Sequence, residues 1–94
     1  MIELTNGNFE KEIQSGKVVV DCWTNWCGKC KMLKPKLEEI ATKRTDYKFC
    51  LLDVDKYIAI AEKLNVTNIP TLIVFEDGKE IKRGSFDILN FLEK

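Results

Sequence analysis

The sequence predicts an α/β fold in which a central mixed β-sheet is covered by helices on both faces. Short β-branched and apolar runs alternate along the chain with segments of helical periodicity. Strands that are separated by a helix-length segment are typical of parallel neighbours in a sheet. The last two strands are separated by Asp77-Gly78, a dipeptide that favours a tight hairpin turn. The last two strands are therefore predicted to pair antiparallel, while the earlier strands are predicted to be parallel.

The predicted elements follow the order β-α-β-α-β-α-β-β-α. Val18–Trp23 is rich in valine, which is typical of a strand buried on both faces. A long helix is predicted from about Cys27 to Thr42, with a kink at Pro35, because apolar residues recur there at helical spacing. The other predicted elements are Ile2–Leu4, Phe9–Gln14, Phe49–Val54, Ile58–Leu64, Thr71–Phe75, Glu80–Lys82 and a last helix that Asp87 caps and that ends near Glu93.

The composition is typical of a small globular protein, and we expect a single domain over residues 1–94. Hydrophobic residues make up 45% and charged residues 32% of the chain, and the formal net charge is zero. A neutral chain has no global field to attract nucleic acid or an anionic membrane, so neither is an expected partner. The histidine count is also zero, which excludes Ser-His-Asp and Cys-His catalysis and histidine-ligated metal sites.

The first residues do not resemble a targeting segment. Glu3 and the turn residues Thr5-Asn6-Gly7 stand where a signal peptide needs a basic start and an apolar run. No apolar stretch approaches the ~20 residues that are needed to span a bilayer. We therefore expect a cytoplasmic location, where thiols stay reduced.

The motif that carries chemistry is Cys27-Gly28-Lys29-Cys30, which follows a buried strand and opens a helix. The unpaired N–H groups and the partial positive charge of a first helical turn stabilise a thiolate and lower the pKa of its cysteine. Thiol redox chemistry is the favoured interpretation. The alternative is a zinc site, whose two further ligands would have to be Cys22 and Cys50.

Several segments resemble the thioredoxin family, and together they cover essentially the whole chain. The segment VDCWTNWCGKCK, which contains the motif, is similar to the family's active-site segment. Trp26, directly before Cys27, favours the thioredoxin branch of this fold over the glutaredoxin branch. The other similar features are Pro35, the cis-proline loop at Asn68-Ile69-Pro70-Thr71-Leu72, the terminal hairpin at Phe75-Glu76-Asp77-Gly78-Lys79, and Gly84. The resemblance implies the thioredoxin fold.

The resemblance also implies a small dithiol–disulfide oxidoreductase that reduces disulfides in target proteins. Cys27 would attack the target disulfide, and Cys30 would resolve the mixed disulfide. No cofactor is implied other than the redox-active Cys27–Cys30 disulfide, which a flavoprotein or ferredoxin-linked thioredoxin reductase would reduce again. Asp21 would handle the proton of Cys30, although an acid at a strand end can also be purely structural. Residues implied at the substrate face of an expected monomer are Trp26, Gly28, Lys29, Ile69, Pro70 and Gly84.

The chain departs from the family at a few positions. Lys29 replaces the usual proline, so we expect a less reducing couple than that of most thioredoxins, unless the lysine is merely solvated. Leu51 stands where a lysine usually accompanies the buried aspartate, so Asp21 should lack a cationic neighbour and have a raised pKa. Cys22 and Cys50 should lie on neighbouring strands, on the same sheet face, as buried inert thiols.

Three points stay open at this stage. Lys29, Lys31, Lys34 and Lys36 could steer acidic partners or could simply form a solvated helix face. The chemistry could be that of a disulfide isomerase or oxidant rather than a reductase. The scaffold could also serve as a binding module without turnover, although two intact cysteines in the motif argue against this.

Overall fold

Nine helices and strands follow the predicted order in the computed structural model, which describes all 94 residues. Their ends lie within two residues of the predicted ones, but Asp87 lies inside the first turn of the last helix, whose N-cap is Ser85. They are β1 (Ile2–Glu3), α1 (Phe9–Ile13), β2 (Lys17–Trp23), α2 (Gly28–Lys43), β3 (Tyr47–Asp53), α3 (Ile58–Lys63), β4 (Thr71–Glu76), β5 (Lys79–Gly84) and α4 (Phe86–Glu93).

The strands form one mixed sheet in the order β1-β3-β2-β4-β5. Strand β2 pairs in parallel with β3 and antiparallel with β4, while β1 is parallel to β3. Strands β4 and β5 form the predicted hairpin, in which Asp77 and Gly78 both have positive φ angles. The prediction of a mixed sheet is therefore confirmed, and β2 lies at its centre.

The side chains of β2 alternate between two cores, one on each face of the sheet. Val18, Val20 and Cys22 point to the face that α1 and α3 cover, where they pack with Phe9 and Ile60. Val19 points to the opposite face, which α2 and α4 cover through buried leucine and isoleucine residues. Helices thus cover both faces, as the sequence predicts, and the central strand is excluded from solvent on each side.

Helix α2 attaches to the second face through Leu33, Leu37 and Ile40. It continues past Pro35 to Lys43, and the kink at this proline remains a prediction. At the far end of α2 the Arg44 guanidinium donates a hydrogen bond to the carbonyl of Leu92 in α4. None of the helices has both the length and the apolar character that a membrane crossing requires.

Cys22 and Cys50 lie on neighbouring strands and in the same core, as the sequence predicts. In the register of β2 and β3, Cys50 pairs with Val20 and Cys22 pairs with Leu52. Both side chains are fully buried and neither forms a disulfide. Burial raises the pKa of Cys22 to about 12 and that of Cys50 to about 11. We therefore expect the two thiols to be unreactive in the folded protein.

The packing of α2 predicts a large loss of stability for Leu37→Ala. Leu37 is fully buried between α2 and the sheet, so its truncation should lower the free energy of unfolding by about 2–5 kcal/mol. Met32→Ala is the control, since Met32 is 63% exposed on the same helix and its truncation should change stability by no more than about 0.5 kcal/mol. Urea unfolding of the oxidised proteins, followed by far-ultraviolet circular dichroism, measures both. Equal losses in the two variants would contradict the described packing.

Burial of the two core thiols predicts a labelling pattern. When the protein is reduced but kept folded at neutral pH, iodoacetamide should modify only Cys27 and Cys30. In denaturant, Cys22 and Cys50 should become reactive as well. Peptide mass spectrometry distinguishes the four positions. Modification of either core thiol in the folded protein, at a rate similar to that of the motif, would show that these thiols are accessible.

Candidate active site

The two motif cysteines lie where β2 passes into α2, at one end of the central strand. Cys27 is the N-cap of α2, with extended backbone angles (φ −92°, ψ 108°). Its Sγ accepts a hydrogen bond from the backbone N–H of Cys30 at 3.1 Å. The sulfur thus occupies the position where a capping oxygen usually satisfies a free donor of the first turn. This geometry stabilises negative charge on the sulfur of Cys27.

Cys27 and Cys30 form a disulfide, with their Cα atoms 5.2 Å apart. Cys27 is 7% exposed and Cys30 is 4% exposed, so both are largely covered in this oxidised state. Cys27, which the resemblance implies as the attacking cysteine, is thus only slightly more exposed than Cys30 in the disulfide form.

Asp21 lies on the face of β2 that α2 covers, two residues along the strand from Val19. The residue is only 1% exposed, and neither carboxylate oxygen has a hydrogen-bond partner in the protein. Its neighbours in the sheet are Leu51 on β3 and Leu72 on β4. Burial raises the pKa of Asp21 to about 7, which agrees with the shift that the sequence predicts.

One expectation about Asp21 is wrong. Leu51 does stand beside it and supplies no charge, but Lys34 on α2 acts as a cationic neighbour and lowers the pKa of Asp21 against the larger effect of burial. Asp21, Cys30 and Lys34 line the same small cavity. The positive charge near Asp21 thus comes from helix α2. The expectation from sequence considered only the neighbouring strand position, which Leu51 occupies.

Trp26 extends from the loop before the disulfide and is 71% exposed. Its indole Nε1 donates a hydrogen bond to Asp55 Oδ2 at 2.7 Å. Asp53 shapes the turn that carries Asp55, since its Oδ1 accepts the backbone N–H groups of Asp55 and Lys56. The indole ring is therefore held in place at the surface beside the disulfide although most of it is open to solvent.

A groove with a volume of about 570 Å³ runs beside the first turn of α2. Three segments that are distant in sequence form its walls: the start of α2, the loop before β4, and the junction of β5 with α4. The Ile69–Pro70 peptide bond in the second segment is cis, as the sequence predicts. The residues that line the groove are Lys29, Met32, Asn68, Ile69, Pro70, Ser85 and Phe86.

The two glycines of the predicted site differ in their surroundings. A methyl group on Gly28 would meet no other atom of the chain within 4 Å, so packing inside the protein does not require a glycine there. A methyl group on Gly84 would lie 2.5–2.9 Å from the carboxylate of Asp87. That carboxylate accepts the backbone N–H of Ser85 at 2.7 Å. Gly84 therefore leaves space for the contact that shapes the start of α4, and Ser85 and Phe86 form the groove wall.

The four cysteines do not converge on one site. Cys22 and Cys50 lie within the core under α1 and α3, and they are unavailable as the two further ligands that a zinc site would need. Nowhere in the chain do three or more Cys, Asp or Glu side chains form a group that could hold a metal ion. The arrangement at Cys27 and Cys30 is suited to thiol–disulfide exchange.

Sequence reasoning missed several residues of this region. Asp55, Ser85 and Phe86 carry no motif of their own, and only the fold brings Asp55 to Trp26 and the other two to the groove beside α2. Lys34 had a usable signal, because it follows Cys30 by four residues and so lies on the same side of the helix one turn later.

Comparison with known proteins agrees with this geometry. The thioredoxin family model matches residues 1–87. The thioredoxin of Staphylococcus haemolyticus is 45% identical over 84 residues, which cover 88% of this chain and 81% of that protein. The thioredoxin of Mycobacterium tuberculosis strain H37Rv is 47% identical over 85 residues, which cover 87% of this chain and 73% of the relative.

Solved structures show the same fold. Oxidised mitochondrial thioredoxin 3 of Saccharomyces cerevisiae superposes with a TM-score of 0.90 at 29% identity, covering 99% of this chain and 93% of that one. Plasmodium falciparum thioredoxin superposes with a TM-score of 0.91 at 28% identity, covering 99% and 97%. The sheet order, the disulfide at the start of α2 and these similarities lead to one conclusion: the chain belongs to the thioredoxin family and is a dithiol–disulfide oxidoreductase.

Proposed function

We propose that the chain reduces disulfides in other proteins, with Cys27 as the attacking cysteine and Cys30 as the resolving cysteine. The observation that carries this proposal is the position of the Cys27 sulfur at the N-terminus of α2, within hydrogen-bond distance of the Cys30 N–H. A donor and a helix dipole directed at one sulfur favour its thiolate, and the thiolate is the nucleophile in exchange.

The reaction then proceeds in two steps. The Cys27 thiolate attacks one sulfur of the target disulfide, forms a mixed disulfide and releases the other target sulfur as a thiolate. Cys30 then loses its proton and attacks Cys27, which breaks the mixed disulfide and releases the second target thiolate. Two electrons have passed to the target, and the chain is left with the Cys27–Cys30 disulfide of the present structure.

Asp21 is the proposed acceptor of the Cys30 proton. A general base is most effective when its pKa lies near the working pH, and burial raises the pKa of Asp21 to about 7. Asp21 and Cys30 line one cavity, through which water can carry the proton between them. The alternative, a purely structural carboxylate, is disfavoured by the absence of any hydrogen-bond partner for either oxygen.

The groove beside α2 is the proposed substrate-binding face. An extended segment of the target would bind along the main chain of Ile69, next to a proline that has no N–H of its own. Exposed Trp26 and the open space at Gly28 leave room for the target to approach the disulfide. Lys29 contributes an ammonium group to the wall, and Gly84 acts by allowing the turn into α4.

The family implies disulfide-containing target proteins and a thioredoxin reductase as partners. We propose that the reductase is flavin- or ferredoxin-linked and that residues 1–94 work as a single domain and as a monomer, which leaves the groove free for the target. A cytoplasmic location is proposed because Cys22 and Cys50 are unpaired thiols, as expected in a reducing compartment. No organic cofactor is needed, since the disulfide itself carries the electrons.

Insulin reduction tests the proposed function. With dithiothreitol as the electron source, the wild-type chain should accelerate precipitation of the insulin B chain, and Cys30→Ser should lose turnover and accumulate a mixed disulfide at Cys27. Cys50→Ala is the matched control, because it removes a thiol that lies outside the motif and should keep full turnover. A wild-type chain that binds reduced or oxidised targets without turnover would instead indicate a binding module. A chain that rearranges scrambled disulfides but does not reduce insulin would indicate an isomerase.

Asp21→Asn should slow resolution of the mixed disulfide without slowing its formation. The amide cannot accept the Cys30 proton, whereas the first turn of α2 activates Cys27 independently. We expect a loss of about tenfold or more in the resolving step near neutral pH. Stopped-flow tryptophan fluorescence follows both steps, and acid quenching with mass spectrometry measures the mixed disulfide. Equal resolving rates in the variant and the wild type between pH 6 and pH 9 would leave Asp21 with a structural role only.

The same substitution should stabilise the fold in a pH-dependent way. The carboxyl ionises near pH 4 in the unfolded chain but only near pH 7 in the folded one. As the pH rises through this window, the unfolded state holds fewer protons than the native state, so the wild type loses stability. The gain from Asp21→Asn should therefore grow to a few kcal/mol between pH 4 and pH 7 and stay constant above it. Urea unfolding across that range measures the gain, and a gain independent of pH would contradict the raised pKa.

A further inference from the structure

A small polar cavity of about 140 Å³ lies behind the disulfide, between β2 and α2. Asp21 and Cys30 line it, together with Trp23 and Thr24. The two carboxylate oxygens of Asp21, the Oγ1 of Thr24 and the Nε1 of Trp23 are buried and have no hydrogen-bond partner in the protein. Buried polar groups of this kind are normally satisfied by water, and the cavity is large enough to hold it. The cavity is therefore a place where water could bridge Asp21 and Cys30.

Lys34 reaches this cavity from the outer side of α2. It follows Cys30 by four residues, so both residues lie on one side of the helix, a single turn apart. Its Nζ lies 6.0 Å from the ring centroid of Trp23, within the range of a cation–π contact. The side chain is exposed on one side and lines the cavity on the other, so its ammonium group stands at the boundary between the cavity and solvent.

The other surroundings of Asp21 carry almost no charge. Its neighbours in the sheet are Leu51 on β3 and Leu72 on β4, and the residues that α4 buries on this face are apolar. The thiol of Cys22 follows it on β2 but points into the opposite core. Lys31 also lines the cavity, and Lys34 is the charged side chain that lowers the pKa of the Asp21 carboxyl.

We infer that Lys34 is a positioning residue for the resolving step: held over Trp23 at the mouth of the cavity, its ammonium stabilises the ionised form of Asp21 that accepts the Cys30 proton. The inference rests on the proposed role of Asp21. In this step the S–H bond of Cys30 breaks and its proton passes through the cavity to the Asp21 carboxylate. The Cys27–target bond breaks as the Cys27–Cys30 bond forms, and the target leaves as a thiolate. Lys34 supplies no proton or electron and acts only through its charge.

Lys34→Met tests the inference, because methionine keeps a long flexible side chain but removes the charge. Loss of the ammonium should shift the titration midpoint of Asp21 upward by about 0.5–1 pH unit. Below the midpoint the resolving rate should fall by about three- to tenfold, since less Asp21 is ionised. Lys34→Arg retains the charge and should restore both values to near those of the wild type. Lys36→Met is the matched control, since this exposed lysine on the same helix does not line the cavity.

Two measurements are needed. Carbon-13 NMR of the Asp21 carboxyl in the oxidised protein gives the titration midpoint without any catalysis. Quenched-flow mass spectrometry of the mixed disulfide with a small neutral disulfide gives the resolving rate, and a neutral substrate removes any steering of acidic partners by lysines. The rate is measured from pH 5.5 to pH 9 for each variant.

The results separate this inference from the proposed function. It is supported if the midpoint and the pH profile move together in Lys34→Met and remain in place in Lys36→Met. In the Asp21→Asn background, which has no carboxyl to titrate, the resolving rate should no longer respond to Lys34→Met. The inference is overturned if the midpoint does not move in Lys34→Met, if Lys36→Met moves it equally, or if Lys34→Met slows resolution as much in the Asp21→Asn background. Failure of insulin reduction in the wild type would overturn the proposed function, while the NMR titration would still report on the charge of Lys34.

Discussion

Strand β2 is paired on both sides and covered on both faces, and this double burial is the constraint on which the active site depends. Val18, Val19 and Val20 are fully excluded from solvent, and all four helices of the structure pack on the sheet around this strand. Because successive side chains point to opposite faces, Asp21 is directed towards α2 while Cys22 enters the other core. The chain then leaves the sheet within a few residues and starts α2 at Cys27, so the acid and the sulfurs occupy one side of the molecule.

The burial that positions Asp21 also destabilises its charged form. A buried carboxylate without a hydrogen-bond partner costs free energy. The pKa of Asp21 therefore rises, so that a part of the population stays protonated and uncharged near neutral pH. The proposed role of Asp21 as the base for the Cys30 thiol rests on this raised pKa. Lys34 acts in the opposite direction from burial. The protonation of Asp21 is therefore set by a balance between its burial in the sheet and a lysine on the facing helix.

The groove that we propose as the substrate-binding face depends on a different property of the fold. Its walls come from the start of α2, the loop before β4 and the turn into α4, which meet because β4 lies beside β2 and β5 lies beside β4. Each wall is held by local contacts. The Asp87 carboxylate accepts the Ser85 N–H in the space left by Gly84, and Asp55 holds the indole of Trp26 on the other side of the disulfide. In the proposed function, a groove whose walls are already positioned would bind an extended segment of the target with little loss of conformational freedom.

The sequence by itself determined the order and the extent of the helices and strands. Runs such as Val18–Val20 and the helical spacing of Leu33 and Leu37 depend on local periodicity, which does not need the rest of the chain to be recognised. It also determined the Cys27–Cys30 motif and the burial of Asp21, since Asp21 directly follows three valines in a strand that is buried on both faces. These features are encoded by residues that are adjacent or one helical turn apart.

Only the tertiary structure decided which charged group acts on Asp21 and which residues line the groove. The sequence predicts an Asp21 without a cation because Leu51 occupies the adjacent strand position, yet Lys34 supplies the charge from the facing helix. Ser85, Phe86 and Asn68 come together with Lys29 of α2 in one groove only after the sheet is assembled. Electrostatic interactions and groove walls depend on distances through space between segments far apart in the chain. Local periodicity carries no information about those distances, so they are defined only when both cores are packed.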